Sequence, residues 1–364
     1  MKEFNTSQMY EIEKGLENGV DITHFIDETY EWDQMKEIRY GLENKVDVTK
    51  YNDKNYKSWQ MQEMRLGLEN GIDLTKYINK YESSHIHFIR LALERGLDIN
   101  FFKNTNFTYT QMMEILLGLE KELDVSIYAD TKFNSAQMKQ IREALLKDIN
   151  ILDYLDETYS ADQMEEVANA LFNGLDSSVD FSIYINKAFN GKQMREIRLG
   201  YENKVDISIY ADEKYDSYQM KEIRLGLESK IDISIYANEK YNAEQMEQMR
   251  YGLENGLDIS KYASPEYDSL QMFQIRLGLL DNLNVDIYAN VEYDSSQMRE
   301  IRLGLKDDLD VSIYADTDTM YTYSQMEQIR KGLKEGLDVS KYLNYKYSDF
   351  KMYEIREELK KEKK

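Results

Sequence analysis

The chain has 364 residues, 42% of them hydrophobic, so it can bury a large core, and it carries no cysteine, which excludes a disulfide framework and thiolate chemistry. Its 46 Lys and Arg against 68 Asp and Glu leave a net charge of −22, which disfavours direct binding to a phosphate backbone. No apolar stretch has the length of a signal peptide or a membrane span, so a cytoplasmic location is expected.

Three consecutive segments, FNGKQMREIRLGYENKVDISIYADEK, YDSYQMKEIRLGLESKIDISIYANEK and YNAEQMEQMRYGLENGLDISKYASPE, are near copies of one another. With the opening aromatic as position 1, copies start at Phe4, Tyr30, Tyr56, Tyr81, Phe107, Phe133, Tyr159, Phe189, Tyr215, Tyr241, Tyr267, Tyr293, Tyr321 and Tyr347, fourteen in all, the last truncated. The period is 26 residues, with one fewer in the third copy, four more in the seventh around Leu175 to Val179, and two more in the twelfth at Asp316 to Thr319. A fixed period of this length marks an array whose units bury their apolar faces only against neighbours.

Each copy predicts a longer helix first. Asp, Asn, Ser or Thr at position 2 and Gln at position 5 form a capping box, as in Asp216 and Gln219, and the aromatic at position 1 can staple onto Met at position 6. Apolar residues at positions 6, 9 and 13 share one helical face. Position 16 is mostly Gly, Lys, Asn or Asp and is followed by an aliphatic, the pattern of a Schellman cap. The segment IDISIYA then alternates like a strand, which keeps an α/β horseshoe as the alternative. Its recurrent residues, however, are an aliphatic at position 19 and Tyr or Phe at position 22, spaced i, i+3 after a capping Asp or Asn at position 18. The spacing predicts a short second helix of about one and a half turns. The expected fold is therefore all-α: an α-solenoid of about fourteen helix pairs in one continuous array over residues 1–364, irregular from about 137 to 192.

Three rows of side chains follow from helical geometry. Gly or Ala at position 12 predicts close approach of the neighbouring copy's helix. Arginine at position 10 recurs as Arg39, Arg65, Arg90, Arg142, Arg198, Arg224, Arg250, Arg276, Arg302, Arg330 and Arg356. The reading is a structural ladder tied to Glu at position 14 or to the neighbouring copy's Asp, with a cationic ligand track as the alternative. Position 11 points away from the core and is Tyr40, Leu66, Leu91, Leu117, Leu199, Leu225, Tyr251, Leu277 and Leu303. These nine form a candidate ridge for contact with a partner.

No reaction chemistry stands out. His85 and His87 lie i, i+2 on a predicted helix and point too far apart to share a metal, His24 is isolated, and Asp316, Thr317 and Asp318 lack the Gly and distal Glu of a calcium loop. The carboxylates recur by period and do not converge, so no enzyme, cofactor or metal is expected.

The run QMKEIRLGLESKIDISIYA resembles a repeat family of gut Firmicutes, their phages and mobile elements, with a pattern close to QMxEIRxGLExGxDVSxYA. The resemblance spans essentially the whole chain and departs most at HIHFIRLALE, QMKQIREALLKDIN and QMEEVANALFNG. It implies the solenoid and no particular activity. Two functions are expected: a non-catalytic scaffold that binds another protein along its ridge, or an acidic inhibitor that imitates nucleic-acid charge to occupy a DNA- or RNA-processing or host-defence enzyme. A reader of one RNA base per repeat conflicts with the charge.

Overall fold

The computed structural model describes residues 3–175, 181–318 and 321–363. Among them every copy opens with a helix of 11 to 14 residues, from Thr6–Glu17 to Asp349–Glu362, and there is no strand. Consecutive long helices pack side by side, giving an α-solenoid of repeats in each of two compact units, Met1–Val179 and Asp180–Lys364. The boundary between the units falls in the segment where the sequence places its four-residue insertion. Residues 176–179 of that insertion, and Thr319 of the later one, lie outside the described residues.

The start and stop signals act locally as the sequence predicts. In copy 9 the Asp216 carboxylate accepts from the backbone of Gln219 at 2.9 Å, and the Gln219 side chain accepts from the backbone of Asp216 at 2.8 Å. At the other end, position 16 takes a left-handed conformation in all thirteen full copies, with φ between 54° and 78°. Lys230 donates its backbone N–H to the Leu227 carbonyl and Ile231 to that of Gly226, a Schellman closure. Six of these thirteen residues are Gly; the others, including Lys45, Glu122 and Lys230, accept strain that glycine would relieve.

The second element differs from expectation. It is a single 3-10 turn of three residues in most copies, for example Ile207–Ile209, capped by the position 18 carboxylate, and is shorter than the predicted helix. The reason lies at position 22. Tyr210, at φ −129°, leaves the turn and sends its ring under its own copy's long helix, where it is fully buried. Its hydroxyl donates to the Glu196 carbonyl at 3.0 Å.

That ring also corrects the reading of position 12. A Cβ built on Gly226 would lie 1.9 Å from Tyr236 Oη, and the same clash recurs at Gly41, Gly118, Gly200 and Gly278. The glycine makes room for the tyrosine of its own copy; the neighbouring helix is not what comes close. Copy 4 carries the complementary change: Ala92 stands at position 12 and Phe102, with no hydroxyl, at position 22, both fully buried. In copy 6, where Ala144 stands at position 12 and Tyr154 at position 22, the tyrosine is 38% exposed and Leu155 is buried.

Neighbouring copies are joined by the glutamine that caps each helix. Gln219 Nε2 donates to the Tyr241 carbonyl of the next copy at 2.7 Å, and Gln8, Gln111, Gln193 and Gln271 do the same. In copy 4 His85 takes this place; it is buried and its Nε2 has no hydrogen-bond partner. Met at position 6 and Ile or Met at position 9 form the core, at 0 to 1% exposure for pairs such as Met61 and Met64, whereas the expected third core residue, Leu at position 13, is only half-buried. In a side-by-side array the buried arc widens toward both flanks, so positions 8 and 10 are covered ahead of position 13.

Candidate functional site

Position 10 arginines form a ladder between copies. Arg39 Nε donates to Glu11 of the preceding copy at 2.8 Å and Nη1 to Glu43 of its own at 2.5 Å. Arg65 with Glu37 and Glu69, Arg90 with Glu63 and Glu94, and Arg250 with Glu222 and Glu254 repeat the triad. Arg224 joins Glu196 and Glu228, and Arg142 meets Glu114 at 2.9 Å. Burial works against the charge on Arg39 and Arg250, but the paired carboxylates outweigh it and hold both guanidiniums above the usual arginine value.

The expected partner at position 14 is present in these copies except that of Arg142, where Leu146 stands at position 14. The neighbour's acid is Glu at position 8 where Asp was expected, because position 8 lies on the flank that faces the next helix. Toward the C-terminal end the set changes. Arg276, Arg302 and Arg356 donate Nε to the neutral Gln248, Gln274 and Gln328, while Arg330 keeps Glu300. There Arg302 and Arg330 do approach the preceding copy's Asp281 and Asp307, at 3.7 and 3.9 Å, and Arg356 reaches Glu335. Arg198 pairs with Glu202 at 2.7 Å.

The position 11 ridge is less open than its azimuth suggests. Tyr40, Leu66, Leu91, Leu117, Leu199, Leu225, Leu277 and Leu303 are half-buried, and Tyr251, at 36%, is exposed. Its tyrosines roof the ladder: Arg39 and Arg65 lie 4.5 and 5.5 Å from the Tyr40 ring centre, and Arg250 and Arg276 lie 4.3 and 5.3 Å from that of Tyr251. Large apolar side chains more open than the ridge stand beside it at positions 3 and 4: Trp32, Tyr109, Tyr218, Leu270, Tyr323 and Phe350. Sequence reasoning passed over them because they vary from copy to copy, and variation against a fixed background was the available signal.

Grooves between the N-terminal halves of adjacent helices hold the remaining candidates. One of about 500 Å³ is lined by Glu63, His87 and Tyr109. His87 Nδ1 lies 3.2 Å from one Glu63 oxygen and Arg90 Nε 2.7 Å from the other. Burial opposes ionisation of Glu63, but these two partners hold its carboxyl below the ordinary range, so the carboxylate is committed. His85 and His87 do not converge, and His24 is half-buried on a 3-10 turn of copy 1. The Asp316 carboxylate accepts from the Asp318 backbone at 2.9 Å. Among the described residues no three His, Cys, Asp or Glu side chains are grouped to hold a metal, and no helix is long and apolar enough to cross a membrane. No family model, curated protein or solved structure matches the chain.

Proposed function

We propose that the protein is a non-catalytic cytoplasmic scaffold that binds another protein along the outward face of its long helices. The observation that carries this reading is the set of large apolar side chains left in water there, with Tyr218 and Leu270 each 61% exposed and Tyr251 and Leu280 close by in the same run of copies. A surface of this kind costs solubility and returns nothing to a core already filled by Met and Ile, which favours a contact role. The kinship with repeats of Firmicutes, phages and mobile elements belongs to the same proposal.

The second reading, an acidic inhibitor that mimics nucleic acid, draws support from the net charge of −22 and from a ladder that withdraws arginines from the surface. Capture of partners from a host lysate separates the two. A scaffold loses its partner on combining Tyr218→Ser, Leu225→Ser and Leu270→Ser and holds it at raised salt. A mimic tolerates those changes and releases its target between low and high salt. Equal recovery by wild type and the triple variant removes the outward face as the site.

A further inference from the structure

The long helix of copy 11, Ser269–Leu280, is apolar on both faces. Met272 and Ile275 are fully buried in the core. On the opposite side, positions 4, 7, 11 and 14 are Leu270, Phe273, Leu277 and Leu280, whereas no other copy has more than two apolar residues at these four positions. Leu270 is 61% and Leu280 40% exposed, with Phe273 and Leu277 half-buried between them. At i, i+3, i+7 and i+10 they form one straight stripe about 15 Å long.

Charge around the stripe is uneven. At the corresponding positions the adjacent helix Ala243–Glu254 presents Glu244 and Glu247, which line a cleft of about 530 Å³ with Leu270 and Phe273. Arg250, the arginine of that helix, is committed to Glu222 and Glu254. Neither Glu244 nor Glu247 has a cationic partner among the described residues, and Glu247 accepts only a long 3.4 Å bond from Gln248. On the other side Lys306 is held by Asp281 at 2.8 Å, and Arg299 lies 3.7 Å from Glu300, whose other oxygen Arg330 holds at 2.7 Å. Arg276 sits between the Tyr251 and Phe273 rings, 5.3 Å from each centre, and donates to Gln248. Two carboxylates against one ring-covered guanidinium leave the copy 10 side of the stripe net negative, while Arg299 leaves the copy 12 side cationic.

We propose that this stripe docks a cationic amphipathic helix of a partner protein. This rests on the protein-binding reading and names the partner's chemistry. A straight apolar row at helical spacing matches the apolar face of a second helix laid along it. Lysine or arginine on that helix's flank covers Leu270 and Phe273 with its methylenes and places its charged head at Glu244 and Glu247, where a counter-ion is missing.

Fluorescence anisotropy with labelled peptides of about 15 residues tests this, using leucines on one helical face and lysines on the flanks, against the same peptide with glutamates in place of the lysines. The lysine peptide is expected to bind the full chain at least about tenfold more tightly than the glutamate peptide at physiological salt. Leu270→Ser with Phe273→Ser should abolish binding, and Glu244→Lys with Glu247→Lys should invert the peptide preference. All four side chains face outward, and unchanged thermal unfolding of both variants confirms their fold. Binding without charge preference, binding indifferent to both variants, no binding of either peptide, or self-association of the chain that Leu270→Ser and Phe273→Ser remove would each overturn the proposal. Ridge-dependent lysate capture together with a negative peptide result sinks this inference and leaves the scaffold standing.

Discussion

Copies 9 and 10 and copy 11 share one backbone plan and differ in how they treat the ladder. Arg224 and Arg250 each grip two glutamates, one from the preceding copy and one from their own, whereas Arg276 meets the neutral Gln248 and has Leu280 where its own glutamate would stand. The guanidinium keeps its place in both, stacked against ring or carboxylate. The counter-charge is thus replaceable so long as an acceptor and a roof remain, and withdrawing it is what turns the outer face of copy 11 apolar.

The largest test of that contrast is truncation of the arginine. Arg250→Met should destabilise by about 3 kcal/mol because it leaves the buried Glu222 with only the exposed Lys221 at 3.8 Å as a counter-charge. Arg276→Met should cost about 1 kcal/mol, the worth of a neutral hydrogen bond and some packing. Chemical denaturation of both variants measures the gap, and equal losses would show that the ladder draws nothing from its carboxylates.

The tyrosine beneath each helix should, by contrast, be indifferent to the ladder. Gly226→Ala and Gly278→Ala are expected to cost the same, about 2 to 3 kcal/mol, through overlap with Tyr236 and Tyr288. Adding Tyr236→Phe to the first should recover most of that loss, reproducing the Ala92 and Phe102 pair of copy 4. A double variant no better than the single one would refute the pairing.

Acid and alkali should act on different copies. Glu63 is held below the ordinary value of 4.5, so its stabilising contribution is present above that pH and is lost as pH falls through its lowered folded value. Hydrogen exchange should therefore show the helices of copies 3 and 4 losing protection in acid before Ser269–Leu280, whose ladder acceptor cannot titrate. In alkali the sign reverses. Burial raises Tyr288 and the other fully buried tyrosines at position 22, Tyr342 to about 12, so their contribution is full below pH 10 and declines as pH rises from there toward the folded value. Protection should then fall in Ser269–Leu280, which covers Tyr288, and hold in copies 3 and 4, where position 22 is the half-buried Tyr77 in one and Phe102 in the other.

The smallest effect lies at the helix ends. Lys230 and Asn282 hold φ of 57° and 56°. Lys230→Gly should stabilise by about 1 kcal/mol and Asn282→Gly by less, since asparagine tolerates the left-handed region. Melting temperatures order the two, and no gain from Lys230→Gly would deny the strain.

Capping boxes, Schellman closures, the period and the all-α fold were legible because each depends on residues within a few positions of one another, such as Asp216 with Gln219 or Lys230 with Leu227. The arginine row was legible as a row, and its position 14 partners were found because i, i+4 geometry is fixed within one helix. Glu at position 8 was missed, since the flank it occupies is defined only once a second helix lies beside it. The more exposed apolar side chains beside position 11 were passed over for a related reason. Reading recurrence favoured position 11, while the open side chains such as Tyr218 and Leu270 stand where copies disagree.

The sequence by itself determined the long helices, their ends and their number, because backbone capping and hydrophobic period act over one or two turns. Tertiary structure alone decided that glycine serves the tyrosine ten residues on, that Gln219 bridges to the next copy, and that position 11 is half roofed. Those outcomes depend on distances between segments whose separation along the chain says nothing of their separation in space.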